Sequence, residues 1–451
     1  MEPDPEPHPL NRPAPRPAAP RRRDLEGPAP GSSVAARLGL YVHVPFCAVR
    51  CRYCDFSSGS LSARALERYL GGMEREASRR APEAGGAVFT SAFFGGGTPS
   101  ALSARHFARL VGTLRAHFTI APDAEITLEA NPESVRPALL DAWRAAGVNR
   151  LSFGVQSFHT DELARLGRIH DAARPGAAVA LARAHGFGRL SLDLMFGFPG
   201  HSAERFAATV ERALELEPEH VSAYCFIPEM GTPMGDEVLG GRVTLPDADR
   251  QADLYASLTA RLARAGYGCY ETSNFCRPGA EARHNLVYWL RRDYLGLGPS
   301  AHGLWRGTRY GNHYATERWA AGLEAGMPCD EREIESAGSR ADEIVMLGLR
   351  LSRGISAADH PPERWRELIG RYGTAFRSGV ATGRLAATAD GVRIPPRHRF
   401  VADDVIAWLM ASADHPTPAD PSGRPDHRDR APLAARARGG GVDSRATASV
   451  T

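Results

Sequence analysis

Three cysteines, Cys47, Cys51 and Cys54, stand in the stretch Tyr41-Val-His-Val-Pro-Phe-Cys-Ala-Val-Arg-Cys-Arg-Tyr-Cys-Asp-Phe56. Their spacing is C-x3-C-x2-C, at the end of an apolar run that reads as a strand. Three thiolates on one loop can hold three corners of an iron–sulfur cube and leave the fourth iron without a protein ligand. An open iron can take the amino and carboxylate groups of a small molecule. A structural zinc site would want four ligands, commonly from two C-x2-C pairs. Only one such pair is present, and His43, the nearest possible fourth ligand, lies inside the strand.

The chain has 451 residues, 7 cysteines and a net charge of +3. An odd cysteine count without a secretory leader argues against a disulfide framework. Cys225, Cys269, Cys276 and Cys329 are scattered and read as small buried residues. A reduced, cytoplasmic compartment fits. No apolar run approaches the roughly 20 residues of a membrane span, so any membrane contact is expected only through a partner. The small net charge gives no electrostatic case for nucleic acid. The chain contains no lysine, which excludes Schiff-base, pyridoxal-phosphate and P-loop lysine chemistry. Residues 1–34 and 412–451 are rich in Pro, Ala, Arg, Gly and Ser without periodicity, and read as disordered tails.

Positioning the cysteine loop requires a scaffold, and residues 35–240 supply one. Apolar runs at 38–45, 88–94, 125–130, 148–155, 190–196 and 220–226 read as strands. Amphipathic stretches at 61–80, 103–117, 135–146, 174–185 and 203–216 read as helices, with Ser103 a cap and Pro175 in a first turn. Alternation of this kind implies an α/β fold with a parallel sheet and right-handed crossovers. A partial (β/α) barrel of about six parallel strands is expected, with a doubly wound open sheet as the alternative. Barrels bind ligands at the C-terminal ends of their strands. There the sequence places the cysteine loop, Gly95-Gly96-Gly97-Thr98-Pro99-Ser100, Glu129, Gln156 and Asp193. Carboxylates on buried strands need a ligand or an internal base, and Arg150 and Arg168 are the candidate bases.

The strings Tyr-Val-His-Val-Pro-Phe-Cys, Gly-Gly-Gly-Thr-Pro-Ser, Leu-Glu-Ala-Asn-Pro, Phe-Gly-Val-Gln-Ser-Phe and Asp-Leu-Met-Phe-Gly-Phe-Pro-Gly recur in this order. Over roughly residues 38 to 410 the chain resembles the radical-SAM enzymes of the coproporphyrinogen III oxidase family. It looks most like that family's heme-chaperone branch. Cys54 is followed by Asp55-Phe56, where the true oxidase has a further cysteine after one intervening residue. Downstream, Tyr270-Glu-Thr-Ser-Asn-Phe275 and then His284-Asn285-Leu286-Val287-Tyr288-Trp289 match the chaperone branch. His201 stands where the family has glutamine.

The resemblance implies that Cys47, Cys51 and Cys54 ligate a 4Fe-4S cluster. It implies that Tyr41, Tyr53, Gly96, Gly97, Thr98, Glu129, Gln156, Arg168, Asp193 and Ile227 contact S-adenosylmethionine (SAM). Glu129 and Asp193 would accept hydroxyls of the ribose, and Arg168 would neutralise the methionine carboxylate. Heme is the third cofactor implied, with His284 the preferred ligand and His302 and His313 the runners-up. Asn285 and Tyr288 bonding only to backbone is the structural alternative for that motif. The expected function is delivery of heme to an acceptor protein, such as a respiratory-chain enzyme, with a homodimer possible. Oxidative decarboxylation of porphyrinogen propionates is the alternative. Residues 241–319 read as a linking region carrying the H-N-x-x-Y-W motif. Residues 320–411 read as a mainly helical, winged-helix-like unit with a hairpin around Asp390-Gly391.

Overall fold

The computed structural model describes residues 38–326 and 330–413. The expected tail over 1–34, nearly all of the one over 412–451, and Cys329 lie outside the described residues. In chain order the elements begin with β1 (Gly39–Val44), α1 (Ala63–Ala84), β2 (Val88–Gly96), α2 (Ala104–His117), β3 (Thr119–Ala130), α3 (Pro137–Ala145) and β4 (Arg150–Gln156). They continue with α4 (Thr160–Leu166), α5 (Arg174–Ala184), β5 (Leu190–Phe196), α6 (Ala203–Glu215), β6 (His220–Cys225), α7 (Pro233–Leu239) and α8 (Ala248–Arg264). Then come β7 (Gly268–Cys269), β8 (Asn274–Cys276), α9 (Arg283–Trp289), β9 (Tyr294–Leu297), β10 (His302–Trp305), β11 (Thr308–Asn312), α10 (Thr316–Glu324) and β12 (Asp330–Ile334). The last are α11 (Ala337–Gly348), β13 (Ile355–Ser356), α12 (Pro362–Ala381), β14 (Ala386–Ala387), β15 (Gly391–Arg393) and α13 (Ala402–Ala411).

Strands β1 to β6 pair in parallel in chain order, and β9 adds a further parallel strand on the free side of β1. The order does not reverse in the middle, as a doubly wound sheet would require. Antiparallel strands extend both edges: β10, β11 and β12 beyond β9, and β8 and β7 beyond β6. No pairing joins β6 back to β1 among the described residues, so the barrel is open. Period-two alternation gives each strand two faces. One buries Leu40, Val42, Phe94, Leu128, Leu151, Leu192 and Val221 in a continuous core with the helices. The other carries a polar row, with Glu129, Ser152, Ser191 and His220 in register across β3 to β6.

Local signals place the helices. Ser103 caps α2 through a hydrogen bond from the His106 amide, and Pro175 occupies the first turn of α5. Short helices α4 and α7 are not among the expected elements; each is 7 residues, two turns, too short to show a period. Within the linking region the H-N-x-x-Y-W motif forms helix α9, and β9 starts at Tyr294.

A second core gathers α11, α12, α13 and the three-stranded sheet β13-β15-β14 around Leu368, Tyr372, Phe376, Ile355, Val405 and Leu409. The hairpin β14–β15 falls where Asp390-Gly391 signals a turn. The expected start of this unit at residue 320 cuts through α10. There Trp319, Ala320 and Leu323 belong to the large core, and β12 still belongs to the large sheet.

Candidate functional site

The cysteine loop leaves β1 and is pinned at both ends. Gly59 donates to the Pro45 carbonyl at 2.8 Å, and Cys47 donates to the Gly59 carbonyl at 3.1 Å. Cys47, Cys51 and Cys54 are free, half-buried thiols. The Thr98 hydroxyl lies 3.3 Å from the Cys47 sulfur, and Arg168 Nη1 donates to the Cys51 sulfur at 3.4 Å. Burial pushes the Cys54 thiol up to about 12, against the pull of the Phe56 amide. The loop by itself therefore does not favour a bare thiolate at Cys54; a bound cation would supply the missing stabilisation. Among the described residues no three His, Cys, Asp or Glu side chains converge on one point as a single metal ion requires. A cube spreads three thiolates over three irons, and the loop fits that group.

The triple-glycine loop after β2 lies directly against the cysteine loop. Gly97 and Thr98 donate to the Val44 and Phe46 carbonyls at 2.9 and 2.7 Å. A Cβ on Gly97 would sit 2.8 Å from the Phe46 backbone nitrogen and oxygen. Gly96 has φ +101°, and a Cβ there would fall 2.5 Å from the His43 ring. Only glycine allows this approach. His43 Nε2 donates to the Ser57 carbonyl (2.9 Å) and Nδ1 accepts from Tyr41 Oη (3.1 Å), joining β1 to the far end of the cysteine loop. Burial, opposed by the Ser57 bond, lowers its pKa to about 4 and keeps the ring neutral.

Glu129, next to last in β3, and Asp193, midway along β5, lie on the polar face. Glu129 is raised to about 8 by burial and by Asp193, against a hydrogen bond from the Gly96 amide. Asp193 is raised by burial, against hydrogen bonds from Ser222, Ser152 and Ser191; the Ser152 hydroxyl reaches it at 3.0 Å. No ion pair joins either carboxylate to a base among the described residues. The bases expected from sequence are committed elsewhere. Arg150 pairs with Glu125 at 3.4 Å. Arg168 donates from Nη2 to Asn131 Oδ1 at 2.6 Å and to the Gly154 carbonyl at 2.8 Å. Its Nε is buried without a hydrogen-bond partner among the described residues. Two acceptors without a base and a guanidinium with a spare donor suit a polar, partly cationic ligand.

Gln156 sits at a β-bulge between β4 and β5 with φ +67°. Such a conformation is strained for a residue with a Cβ and is found at functional sites. It turns the Gln156 amide toward Gly154, where a Cβ would meet Gln156 Nε2, Arg168 and Asn131 at 3.1 to 3.4 Å. Tyr53 packs with Leu166, Met195, Phe198, Phe226 and Met234 on the flank of the loop. Tyr41 stacks on Phe93 inside the barrel. Ile227, after β6, is 68 % exposed, so it lines an open rim rather than a closed pocket. Asn131, which accepts from Arg168, also belongs to the site, and His43, weighed only as a metal ligand, belongs to it by bracing the loop. Asn131 follows Glu129 in the Glu-Ala-Asn-Pro string, which was the available signal.

The histidines separate clearly. His284 is fully buried. Its Nδ1 lies 2.9 Å from the Ser91 hydroxyl and its Nε2 2.7 Å from the Tyr288 hydroxyl. Burial drops its pKa to about 3. As placed, it offers no free nitrogen to a heme iron; of the structural alternative, the Tyr288 hydroxyl bonds the His284 ring and not backbone. His302 and His313 are half-buried. His313 precedes Tyr314, whose hydroxyl donates to the Asp55 carbonyl at 2.8 Å beside the cysteine loop.

Residues 41–213 match the model of the Radical SAM superfamily. The chain is 38 % identical to the heme chaperone HemW of Mycobacterium tuberculosis (strain CDC 1551 / Oshkosh), over 86 % of this chain and 99 % of that one. It is 32 % identical to the heme chaperone HemW of Bacillus subtilis (strain 168), over 82 % and 98 %. Among solved structures, coproporphyrinogen III oxidase (HemN) from Escherichia coli superposes with a TM-score of 0.72 at 24 % identity, covering 84 % of this chain and 91 % of that one. That likeness is one of fold. Because the two sequence relatives align over nearly their whole length at more than 30 % identity, the chain belongs to the HemW heme-chaperone family within the radical SAM superfamily.

Proposed function

We propose that this protein is a heme chaperone: it holds a 4Fe-4S cluster and SAM at the mouth of the barrel and delivers heme to an acceptor protein. Cys47, Cys51 and Cys54 hold the cluster. When bound, the cluster supplies an open iron and one-electron chemistry toward SAM. The protein's own side chains do the positioning. Arg168 steadies the Cys51 sulfur and presents its spare Nε to the methionine carboxylate. Glu129 and Asp193, once ionised, accept from the ribose hydroxyls, and Gln156 bonds the nucleoside. Gly96 and Gly97 let backbone come close, and Thr98 ties the glycine loop to Cys47. Tyr41, Tyr53 and Ile227 form the walls.

One observation carries the choice of chaperone over oxidase. The relatives that align almost end to end are heme chaperones, whereas the oxidase shares the fold at lower identity. The loop agrees, since after Cys54 the next cysteine is Cys225. Heme ligation at His284 requires its ring to leave Ser91 or Tyr288; His302 and His313, both half-buried, are the alternatives. The acceptor is a separate protein, with a respiratory-chain enzyme the first candidate, and the setting is the reduced cytoplasm. Among the described residues no helix is long and apolar enough to cross a membrane. The test is anaerobic incubation of cluster-reconstituted protein with coproporphyrinogen III and SAM, followed by chromatography. The chaperone reading expects no protoporphyrinogen. Robust conversion would restore the oxidative decarboxylase.

A further inference from the structure

The side chain of Asn131 touches both of the side chains that reach the sulfurs of Cys47 and Cys51. Asn131 follows β3 directly, at the head of the short turn Pro132–Ser134. Its backbone is held on both sides. Its amide donates to the Ser100 hydroxyl at 3.2 Å, and its carbonyl accepts from the Ser134 hydroxyl at 2.6 Å. From α5, Arg174 donates through Nε to the Pro132 carbonyl at 2.9 Å and through Nη2 to the Val135 carbonyl at 2.7 Å, which fixes the turn itself. The side chain then faces two partners. Arg168 Nη2 donates to Oδ1 at 2.6 Å, and Nδ2 donates to the Thr98 hydroxyl oxygen at 3.5 Å. A guanidinium has donors and no acceptor, so it meets the oxygen of the amide, and the NH2 group is left facing Thr98. That group only donates, so the Thr98 oxygen accepts from it and the Thr98 hydrogen is directed elsewhere. The Cys47 sulfur, 3.3 Å away, is the acceptor in reach. On the other arm, Arg168 Nη1 donates to the Cys51 sulfur at 3.4 Å. Hydrogen bonds thus run unbroken from Cys47 through Thr98, Asn131 and Arg168 to Cys51, with the Asn131 amide at the centre.

We infer that Asn131 is a positioning residue for the iron–sulfur cluster: it aims Thr98 and Arg168 at the sulfurs of Cys47 and Cys51, and so raises the reduction potential of the cluster. This rests on the reading that these cysteines hold the cluster. Reduction adds one electron, taken from an external low-potential donor, and no proton. Donors aimed at the ligand sulfurs stabilise the more negative, reduced form, as hydrogen bonds to cluster sulfurs do in general. Without the Asn131 amide, the Thr98 hydroxyl is free to turn away from Cys47. The Arg168 Nη2 then keeps only the Gly154 carbonyl as a fixed acceptor.

Reductive titration of the cluster tests this in a double-mutant cycle of Asn131→Leu and Thr98→Val. The full-length protein is reconstituted anaerobically without SAM and followed by electron paramagnetic resonance; leaving SAM out keeps any change in its binding from entering the readout. Asn131→Leu is expected to lower the reduction equilibrium constant about tenfold, which is about 59 mV for a one-electron couple. Thr98→Val is expected to lower it by less, since the Arg168 arm survives. In the Thr98→Val background, Asn131→Leu is expected to do less than it does alone, because coupled residues are non-additive. Thr98→Ser, which keeps the hydroxyl, is expected to restore the potential. Circular dichroism and iron and sulfide per chain report whether each variant is folded and loaded. If Asn131→Leu fails to fold or load, Asn131→Asp takes its place in the cycle. It has the same shape, keeps an oxygen for Arg168 and turns the donor facing Thr98 into an acceptor. Its added charge acts with or without the Thr98 hydroxyl and cancels in the cycle, so the same non-additivity is expected. An unchanged potential in loaded Asn131→Leu, or full additivity in either cycle, would overturn the inference. Wild-type protein that takes up no cluster would instead overturn the reading on which it rests.

Discussion

Replacing Glu129 with glutamine should stabilise the apoprotein, and the gain should grow with pH. Burial first, then the charge of Asp193, lifts the Glu129 carboxyl to about 8 in the fold from near 4.5 in the open chain, against the Gly96 amide. A carboxyl raised on folding holds its proton more tightly in the native state. The stability it contributes is complete below the unfolded value and is lost as pH rises through about 8. Each pH unit crossed inside that window costs about 1.36 kcal/mol. Between about pH 5.5 and about pH 7.5 the wild type should therefore lose about 2.7 kcal/mol that the glutamine variant keeps. Glutamine fits the same space and does not titrate. Urea unfolding of reduced, cluster-free protein at a series of pH values reads the difference directly. The gap between variant and wild type should open through this window and level off above it. A gap that stays constant with pH would refute the argument that Glu129 is held protonated by its surroundings. The same variant should bind SAM more weakly by about 1.5–3 kcal/mol, the worth of a hydrogen bond to a charged group: the carboxylate is kept for ligand binding at the expense of stability.

Cys47→Ala should abolish the brown cluster absorbance of anaerobically reconstituted protein, whereas Cys269→Ala, whose sulfur donates to the Glu271 carbonyl far along the chain, should leave it intact. Gly97→Ala should lower cluster occupancy, because its Cβ would press on the Phe46 backbone at 2.8 Å; iron and sulfide analysis per chain measures it. Arg168→Gln should weaken SAM by about 1.5–3 kcal/mol in calorimetry, since it removes the guanidinium that spans Cys51, Asn131 and Gly154.

The six barrel strands were legible because buried parallel strands are apolar runs bounded by Gly, Pro and turn residues. Leu190–Phe196 begins and ends where its sequence says. Edge strands were not legible. β12 reads Asp-Glu-Arg-Glu-Ile, four of whose five residues are exposed, and its membership in the sheet comes from pairing with β11 alone. Helix α9 was hidden because Tyr288 and Trp289 favour strands locally, while its tertiary seat under the barrel decides otherwise. At the site, residue types and their order singled out the cysteine loop, Glu129 and Asp193 as candidates, since acids on buried strands are unusual. What each side chain spends its hydrogen bonds on was not legible. Arg150 pairs with Glu125 instead of a site carboxylate, and the two nitrogens of His284 are consumed by Ser91 and Tyr288. Residue type says nothing of such commitments, which range from one helical turn, at Tyr288, to a separation of 193 positions, at Ser91.

The most direct test of the central claim is heme transfer. Protein loaded with one hemin is mixed anaerobically with an apo-acceptor, a b-type respiratory subunit stripped of heme, and the Soret spectra of the two are followed after separation. The account predicts that hemin binds with a shifted Soret band, passes to the acceptor, and leaves the cluster absorbance unchanged. A protein that binds no hemin, or that keeps its hemin against the acceptor while converting coproporphyrinogen III, would contradict it.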